Sequence, residues 1–169
     1  LALSGSSADL ATALGGTFAS AYTGDVATSD AHNLAQLKAI NNATSGTITL
    51  NDASVSLSGS ISDIKAALAG SFAADYTGNV VITDGNGTAI TATDITTIDG
   101  DTTGTITVSN NINITGSAAQ ITSAVAVIDN FSATPSATLD DAHTLAQLKA
   151  INNAISGTIS LNDNTVALE

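Results

Sequence analysis

The sequence repeats itself: AHNLAQLKAINNATSGTITLND at residues 31–52 returns as AHTLAQLKAINNAISGTISLND at residues 142–163. The two copies are identical at 19 of 22 positions. A diverged copy lies between them, because Gly104-Thr105-Ile106-Thr107 corresponds to Gly46-Thr47-Ile48-Thr49. Self-similarity of this kind is the signature of a repeat architecture. We therefore divide the chain into three units, at residues 3–56, 57–113 and 114–169.

Each unit contains two halves, and each half has a helical pattern. In the first half, Leu34, Leu37 and Ile40 recur along one face, which predicts a helix capped by Asp30 or Ser29. The expected caps of the corresponding helices are Asp141 in the near-identical copy and Thr88 in the middle copy. The apolar positions of these two helices are Leu145, Leu148 and Ile151, and Ile95 and Ile98. Those of the helices in the second halves are Ile64, Leu68 and Phe72; Leu10, Leu14 and Phe18; and Ile121, Val125 and Ile128.

Between the helices the apolar period changes to two. Residues 47–50, 54–57 and 105–108 alternate polar and apolar side chains, as half-buried strands do. A half-unit of about 27 residues is too small to bury its own apolar stripe, so it must stack on a neighbour. Strand-helix-strand connections are right-handed by default. We predict one α/β domain over residues 1–169, a right-handed solenoid of about six coils with parallel sheets.

Two motifs also carry a resemblance to a known class of proteins. The stretch at residues 34–49, LAQLKAINNATSGTIT, and the stretch at residues 57–68, LSGSISDIKAAL, resemble repeats of giant secreted or cell-surface proteins of bacteria, notably marine cyanobacteria. The resemblance covers nearly all of the chain but specifies a coil rather than a chemistry. It implies an extracellular, acidic stalk, matrix or surface-layer segment, and it transfers no catalytic residue.

Composition excludes several classes of partner. Three Lys, no Arg and 15 acidic residues give a net charge of −12, which would repel nucleic acid and anionic membranes. No apolar run is long enough to cross a bilayer. Only five residues are aromatic, and none is Trp, which argues against a deep apolar ligand pocket. We therefore expect no nucleic-acid partner, no membrane insertion and no organic cofactor.

Calcium is the most plausible ligand in such an Asp-rich chain. The weak candidates are Asp84 and Asn86 in an Asp-Gly-Asn-Gly turn, and Asp99 and Asp101 in an Asp-Gly-Asp sequence. The spacing is unlike a calcium loop, because no bidentate Glu follows. Asp and Asn in turns also bond their own backbone, and this structural alternative is the one we favour.

The two histidines occupy equivalent positions. His32 and His143 are separated by a whole unit, so we expect partly exposed residues in the first turn of a helix rather than metal ligands. Without Cys, and with the histidines far apart, no nucleophile and base can be paired. The sequence thus predicts that the chain is not an enzyme.

Hydroxyl side chains suggest a further possibility. Thr47 and Thr49, Thr105 and Thr107, and Thr158 and Ser160 are expected to line up in register on one sheet face. Such a ladder resembles the faces of ice-binding solenoids, but it is also a common solvent face of ordinary parallel coils. We keep ice binding as a distant alternative.

The functional expectation follows from the repeats. The chain is expected to be a structural segment at the cell surface or outside the cell, stacked on neighbouring repeats of a parent chain and associating end to end through uncapped coil faces. The alternative is an adhesin-type binding module with calcium-assisted contacts.

Overall fold

The computed structural model describes residues 2–165, so the end of the third expected unit, residues 166–169, lies outside the described part. Six helices are present there: α1 Ser7–Leu14, α2 Leu34–Ala43, α3 Ile61–Leu68, α4 Ala92–Asp101, α5 Ala118–Val127 and α6 Leu145–Ala154. The strands are β1 Leu3–Gly5, β2 Val26–Thr28, β3 Ile48–Thr49, β4 Leu57–Gly59, β5 Val80–Ile82, β6 Ala89–Thr91, β7 Ile106–Val108, β8 Asn113–Gly116, β9 Asn130–Phe131, β10 Ser136–Leu139 and β11 Ile159–Ser160.

The folded chain divides into two compact units, which are not the three sequence units defined above. Unit 1 is Leu1–Val80 with Gly100–Gly104, and unit 2 is Val81–Asp99 with Thr105–Glu169. Helix α4 runs through the boundary, because its last two residues belong to unit 1. We describe each unit separately.

The described residues form three sheets, and all of them are parallel. Unit 1 contains a sheet of order β1-β2-β3, in which Leu3, Val26 and Ile48 are in register. Unit 2 contains a sheet of order β11-β10-β8-β6, and in the third sheet β7 pairs with β9 within unit 2. Because parallel strands alternate with helices, the predicted α/β class is confirmed.

Partner residues on hydrogen-bonded strands are separated by a nearly constant number of residues along the chain. In unit 1, Leu3 pairs with Val26 and Val26 pairs with Ile48, and in unit 2 Ala137 pairs with Ile159 at a similar spacing. This interval is shorter than the half-unit expected from the sequence, whereas the starts of α1, α2 and α3 do follow that half-unit. Strand pairing and helix spacing therefore follow different intervals.

Most of the expected apolar positions are buried, but Leu145 is 46% exposed and Leu34 and Leu148 are half-buried. Leu10 and Leu14 pack with Val26, Ile40 and Ile48 in the core of unit 1. Phe18 and Phe72, by contrast, lie beyond the ends of α1 and α3, and Phe18 is 53% exposed. The predicted stripes were therefore too long, because each of these helices ends after eight residues.

The predicted caps of three helices were wrong. Helix α2 is capped by Asn33, in a capping box with Gln36, and the Thr144 side chain caps α6 in the same way. In the middle copy, Thr91 rather than Thr88 accepts the hydrogen bond from the Asp94 amide. A side-chain oxygen caps a helix only from the position next to its first turn, which the predicted residues do not occupy.

Asp30 and Asp141 do cap helices, but they cap neighbouring ones. The Asp30 carboxylate accepts a hydrogen bond from the amide of Ser7, the first residue of α1, at 2.7 Å. The Asp141 carboxylate accepts one from the amide of Ala118, the first residue of α5, at the same distance. Each of these acids therefore ties its own loop to the helix of the preceding chain segment.

One glycine recurs in all three copies for a steric reason. A Cβ on Gly46 would collide with the backbone of Gly24, and a Cβ on Gly104 would collide with that of Gly78. In the third copy, Gly157 lies equally close to the Pro135 carbonyl. Only a residue without a side chain allows these two chain segments to approach so closely.

Candidate functional site

The structure separates the calcium candidates into two places. Asp84 and Asn86 lie in the β5–β6 loop, where the Asn86 side chain accepts a hydrogen bond from the Asn111 amide at 2.9 Å. The Asp84 carbonyl accepts one from the Asn110 side chain, also at 2.9 Å. Gly87 in the same loop has a positive φ of 78°. These contacts tie the loop to the chain segment before β8.

Asp99 and Asp101 lie at the other location, in the last turn of α4. Asp99 is exposed, while Asp101 is half-buried. Burial raises the pKa of Asp101, although the nearby Lys65 acts in the opposite direction. Within residues 2–165, no three His, Asp or Glu side chains come close enough to hold a metal ion together. Calcium binding at these four residues stays a prediction.

The threonine ladder predicted from the sequence does not form. Its strands β3, β7 and β11 belong to three different sheets. A different set of hydroxyls is in register in unit 2, formed by Thr91, Thr115, Thr138 and Ser160. The two inner members donate their hydroxyl protons inside the sheet, to the Ile90 carbonyl and to the Asn113 side chain. This ladder is therefore engaged in holding its own strands together.

Both histidines are buried, so the expectation of partly exposed helix residues was wrong. His32 is 4% exposed and His143 is 5% exposed, and each lies two residues before its helix begins. In both, Nδ1 is buried without a hydrogen-bond partner. The pattern of the flanking helix did not reveal this burial, because both histidines lie in the loop before it.

His32 belongs to a buried chain of hydrogen bonds in unit 1. The Tyr76 hydroxyl donates to the Val55 carbonyl at 2.5 Å and lies 3.1 Å from His32 Nε2. Since the tyrosine proton is used on Val55, Nε2 must be the protonated nitrogen that donates to Tyr76. In the neutral ring, Nδ1 is then the acceptor nitrogen, and it is buried without a partner.

Burial shifts the pKa values of both rings in this chain of hydrogen bonds. Desolvation lowers the pKa of His32, and the nearby carboxylates of Asp52 and Asp30 only partly oppose it. Desolvation also raises the pKa of Tyr76 far above its ordinary value. Both groups thus stay neutral around pH 7. Sequence reasoning missed Tyr76, although a tyrosine in a chain with so few aromatic residues was a usable signal.

The tyrosine reaches its acceptor because Gly78 lies beside it. A Cβ on Gly78 would collide with the Val55 carbonyl and with the Tyr76 ring. The rings of His32 and Tyr76 are tilted by 56°, with centroids 5.8 Å apart. The arrangement joins the loop before α2 to the loop before β4 and so stabilises unit 1.

Next to His32, helices α2 and α3 pack side by side through three contacts. Lys38 forms an ion pair with Asp63, and the Asn41 side chain donates to the Ala66 carbonyl at 2.6 Å. Leu34 lies so close to Gly59 that a Cβ there would strike it. We call this arrangement the α2–α3 contact.

An open groove of about 890 Å³ runs along the α2–α3 contact and is lined by His32, Lys38, Asn42, Ser58 and Asp63, among others. Its two charged groups already neutralise each other, and the partner Lys38 is the main reason that the pKa of Asp63 is lowered. The groove therefore presents an ion pair, and the described contacts serve packing.

In comparisons with known proteins, no family model, no curated protein and no solved structure matches this chain. Among residues 2–165, no helix is both long enough and apolar enough to cross a membrane.

Proposed function

We propose that the chain is a non-enzymatic structural repeat segment of a large extracellular or cell-surface protein, such as a stalk, a matrix or a surface layer. Its repeats would stack as a right-handed α/β solenoid, and the function of the chain would be to form this stack. The observation that carries this proposal is the α2–α3 contact, in which one repeat covers the helix of the repeat before it.

Contacts between successive segments support stacking. Within unit 1, Asp30 caps α1 and Gly46 packs on the Gly24 carbonyl, so each segment satisfies backbone groups of the one before it. Unit 2 repeats both features with Asp141 and Gly157. In repeat proteins, stability is a sum of such nearest-neighbour terms.

The state of the ionisable groups supports a structural rather than an enzymatic role. His32 is buried, neutral and bonded to Tyr76, and Lys38 is paired with Asp63. General acid–base catalysis needs a titratable group within hydrogen-bond reach of substrate. In this groove the titratable side chains are already bonded to other groups of the protein.

Charge and composition support a location outside the cell. A net charge of −12 keeps repeated copies hydrated and apart from other surfaces. With three Lys and no Arg, the chain offers trypsin-like proteases few sites. Labelling of intact source cells by an antibody against this chain, without permeabilisation, is expected. Labelling only after permeabilisation would contradict the proposed location.

Stacking is tested by adding one methyl group at Gly46. Because the Cβ of Gly46→Ala would collide with the Gly24 backbone, we expect a loss of about 1–3 kcal/mol in the free energy of unfolding, measured by chemical denaturation. The matched control is Gly100→Ala in α4, where a Cβ meets nothing within 4 Å. This control should be neutral or stabilising. Equal stability of the two variants would remove the steric basis of stacking.

The adhesin alternative with calcium-assisted contacts is tested by thermal melts with and without millimolar calcium. A purely structural stack should melt at the same temperature in both, because a ligand stabilises only a state that it binds. A rise in Tm that is lost on replacing Asp84 and Asn86, or Asp99 and Asp101, by Ala would favour calcium binding instead.

A further inference from the structure

The α2–α3 contact has two halves, and each half occurs a second time in the chain. Helix α6 has the same ten residues as α2, LAQLKAINNA. The segment at residues 3–18 matches residues 57–72, which contain α3, at nine of sixteen positions. In this way α6 repeats the α2 half and α1 repeats the α3 half.

Within residues 2–165, no helix covers the second α2 half as α3 covers α2. Leu145 is 46% exposed, Lys149 and Asn152 are exposed, and Leu148 is half-buried. We call these four residues the α6 face. They line an open groove of about 420 Å³ in unit 2, together with Ile159 and Leu161.

In the described part of the chain, no helix covers the second α3 half as α2 covers α3. Asp9, Thr12 and Gly16 are exposed and Gly5 is half-buried, and we call these four residues the α1 face. Ala67 of α3 is fully buried, whereas its counterpart Ala13 is exposed. Within residues 2–165, the large apolar side chains that remain exposed are Leu3, Phe18 and Leu145. All three lie on or beside these two faces.

We propose that the α6 face of one copy of this chain binds the α1 face of a second copy, head to tail, in the geometry of the α2–α3 contact. Leu145 would pack on Gly5 as Leu34 packs on Gly59. Lys149 would pair with Asp9 as Lys38 pairs with Asp63.

The third contact has its counterpart too. The Asn152 side chain would donate to the Thr12 carbonyl, as that of Asn41 donates to Ala66. Gly70, which leaves room for the Asn41 side chain, has its equivalent in Gly16. The inference rests on the proposed function in assuming that repeats cover each other's helices.

The pairing is specific to these two faces. Helix α5 carries Gln120 and Val127 where α3 has Asp63 and the following Gly70, so it lacks both the acid and the small residue. On the other side, α4 has Ala92 and Thr96 where α2 has Leu34 and Lys38. Among the six helices in residues 2–165, α1 and α6 are thus the two whose complementary faces, the α1 face and the α6 face, have no helix packed against them.

Charge offers a test that separates this contact from general repulsion. Copies with a net charge of −12 repel each other, so replacing an acid by Lys anywhere should favour association on general grounds. At Asp9 the opposite is expected, because Asp9→Lys would place two lysines against each other. Asp75→Lys, at an exposed acid outside both faces, is the matched control.

The experiment is sedimentation equilibrium of the whole chain from micromolar to millimolar concentration at a fixed salt concentration. The wild type should form concentration-dependent oligomers. Asp9→Lys and Lys149→Asp should each associate several-fold more weakly, while Asp75→Lys associates as well as the wild type or better. An equimolar mixture of Asp9→Lys and Lys149→Asp should recover association, since opposite charges then meet.

Gly5→Ala tests the same contact by shape. A Cβ on Gly5 has room in the single chain, with its nearest neighbour Leu10 Cγ at 3.9 Å, so the Tm of the dilute protein should be unchanged. It would nevertheless block Leu145, and association should fall several-fold.

A wild type that stays monomeric at millimolar concentration would overturn the inference, as would equal behaviour of Asp9→Lys and Asp75→Lys or a mixture that fails to associate. None of these results touches the contacts inside one chain, so the proposed function would stand. The proposed function itself fails on a different measurement, namely an unchanged stability of Gly46→Ala.

Discussion

Helices α2 and α6 have one sequence and two environments. Both start with a capping box and end ten residues later. Ile40 and Ile151 are each fully buried, but Leu37 is fully buried while Leu148 is only half-buried. The difference arises because α3 covers α2 and no helix in the described residues covers α6 in the same way. Local sequence thus determines the helix, whereas the neighbouring segment determines how much of it is buried.

The largest expected effect tests this difference directly. Leu37→Ala should cost about 2–5 kcal/mol of unfolding free energy, because it leaves a cavity at a fully buried site. Leu148→Ala should cost about 1 kcal/mol in dilute solution, since its side chain is already in contact with water. Chemical denaturation at low protein concentration measures both.

Ile40→Ala and Ile151→Ala are the controls for this comparison and should be equally costly. Equal losses at Leu37 and Leu148 would show that the two helices are covered alike. A loss at Leu148 that grows with protein concentration would instead sharpen the comparison, because it would mean that a second copy buries the α6 face.

The helices, most of their buried apolar positions and the parallel α/β class could be predicted from the repeat and its periodicity. The partners of Asp30 and Asp141 could not, because each acid caps a helix that belongs to an earlier segment of the chain. The threonine ladder failed for a related reason. Alternation places a residue on a face of its strand, but it does not say which sheet that strand joins.

A single difference between the copies shows the same limit. Thr44 accepts from the Gly46 amide and donates to the Gly24 carbonyl at 2.7 Å. Its counterpart Ile155 has no hydroxyl, and there the Gly157 amide donates directly to the Pro135 carbonyl at 3.0 Å. Thr and Ile are thus exchanged without losing the connection between segments, which the sequence alone presents as an unexplained substitution.

The comparison of helices extends to the tyrosines, which also recur. Tyr76→Phe should cost about 1–3 kcal/mol, because it leaves His32 Nε2 and the Val55 carbonyl without a partner in a buried place. Tyr22→Phe is the matched control, because Tyr22 begins the same Tyr-Thr-Gly sequence in the preceding repeat.

Tyr22 is half-buried, and its hydroxyl makes only a long contact of 3.5 Å to the Asp25 carbonyl. Its replacement should therefore change stability by less than about 0.5 kcal/mol. Thermal melts of the two variants measure the difference. Equal melting temperatures would mean that the buried hydrogen bonds of His32, Tyr76 and Val55 contribute nothing to stability.

The smallest effect concerns pH. Burial lowers the pKa of His32 from 6.5 in the folded state, so at a pH just below 6.5 the unfolded chain binds a proton that the folded chain does not. The neutral ring stabilises the fold fully above pH 6.5, and this contribution is lost as the pH falls below that value. Asp30 and Asp52, which face the ring, have pKa values lowered by hydrogen bonds from Ser7 and Ser54. Their contributions are lost only as the pH falls below 3.8, in a separate window.

His32→Gln isolates the upper window. A glutamine amide keeps a donor for the Tyr76 hydroxyl and does not titrate, so the variant should lose less stability than the wild type between pH 7 and pH 5. The measurement is the unfolding free energy by denaturant at several pH values. If the unfolding free energies of wild type and variant fall with the same slope, the buried His32 is not a source of acid sensitivity.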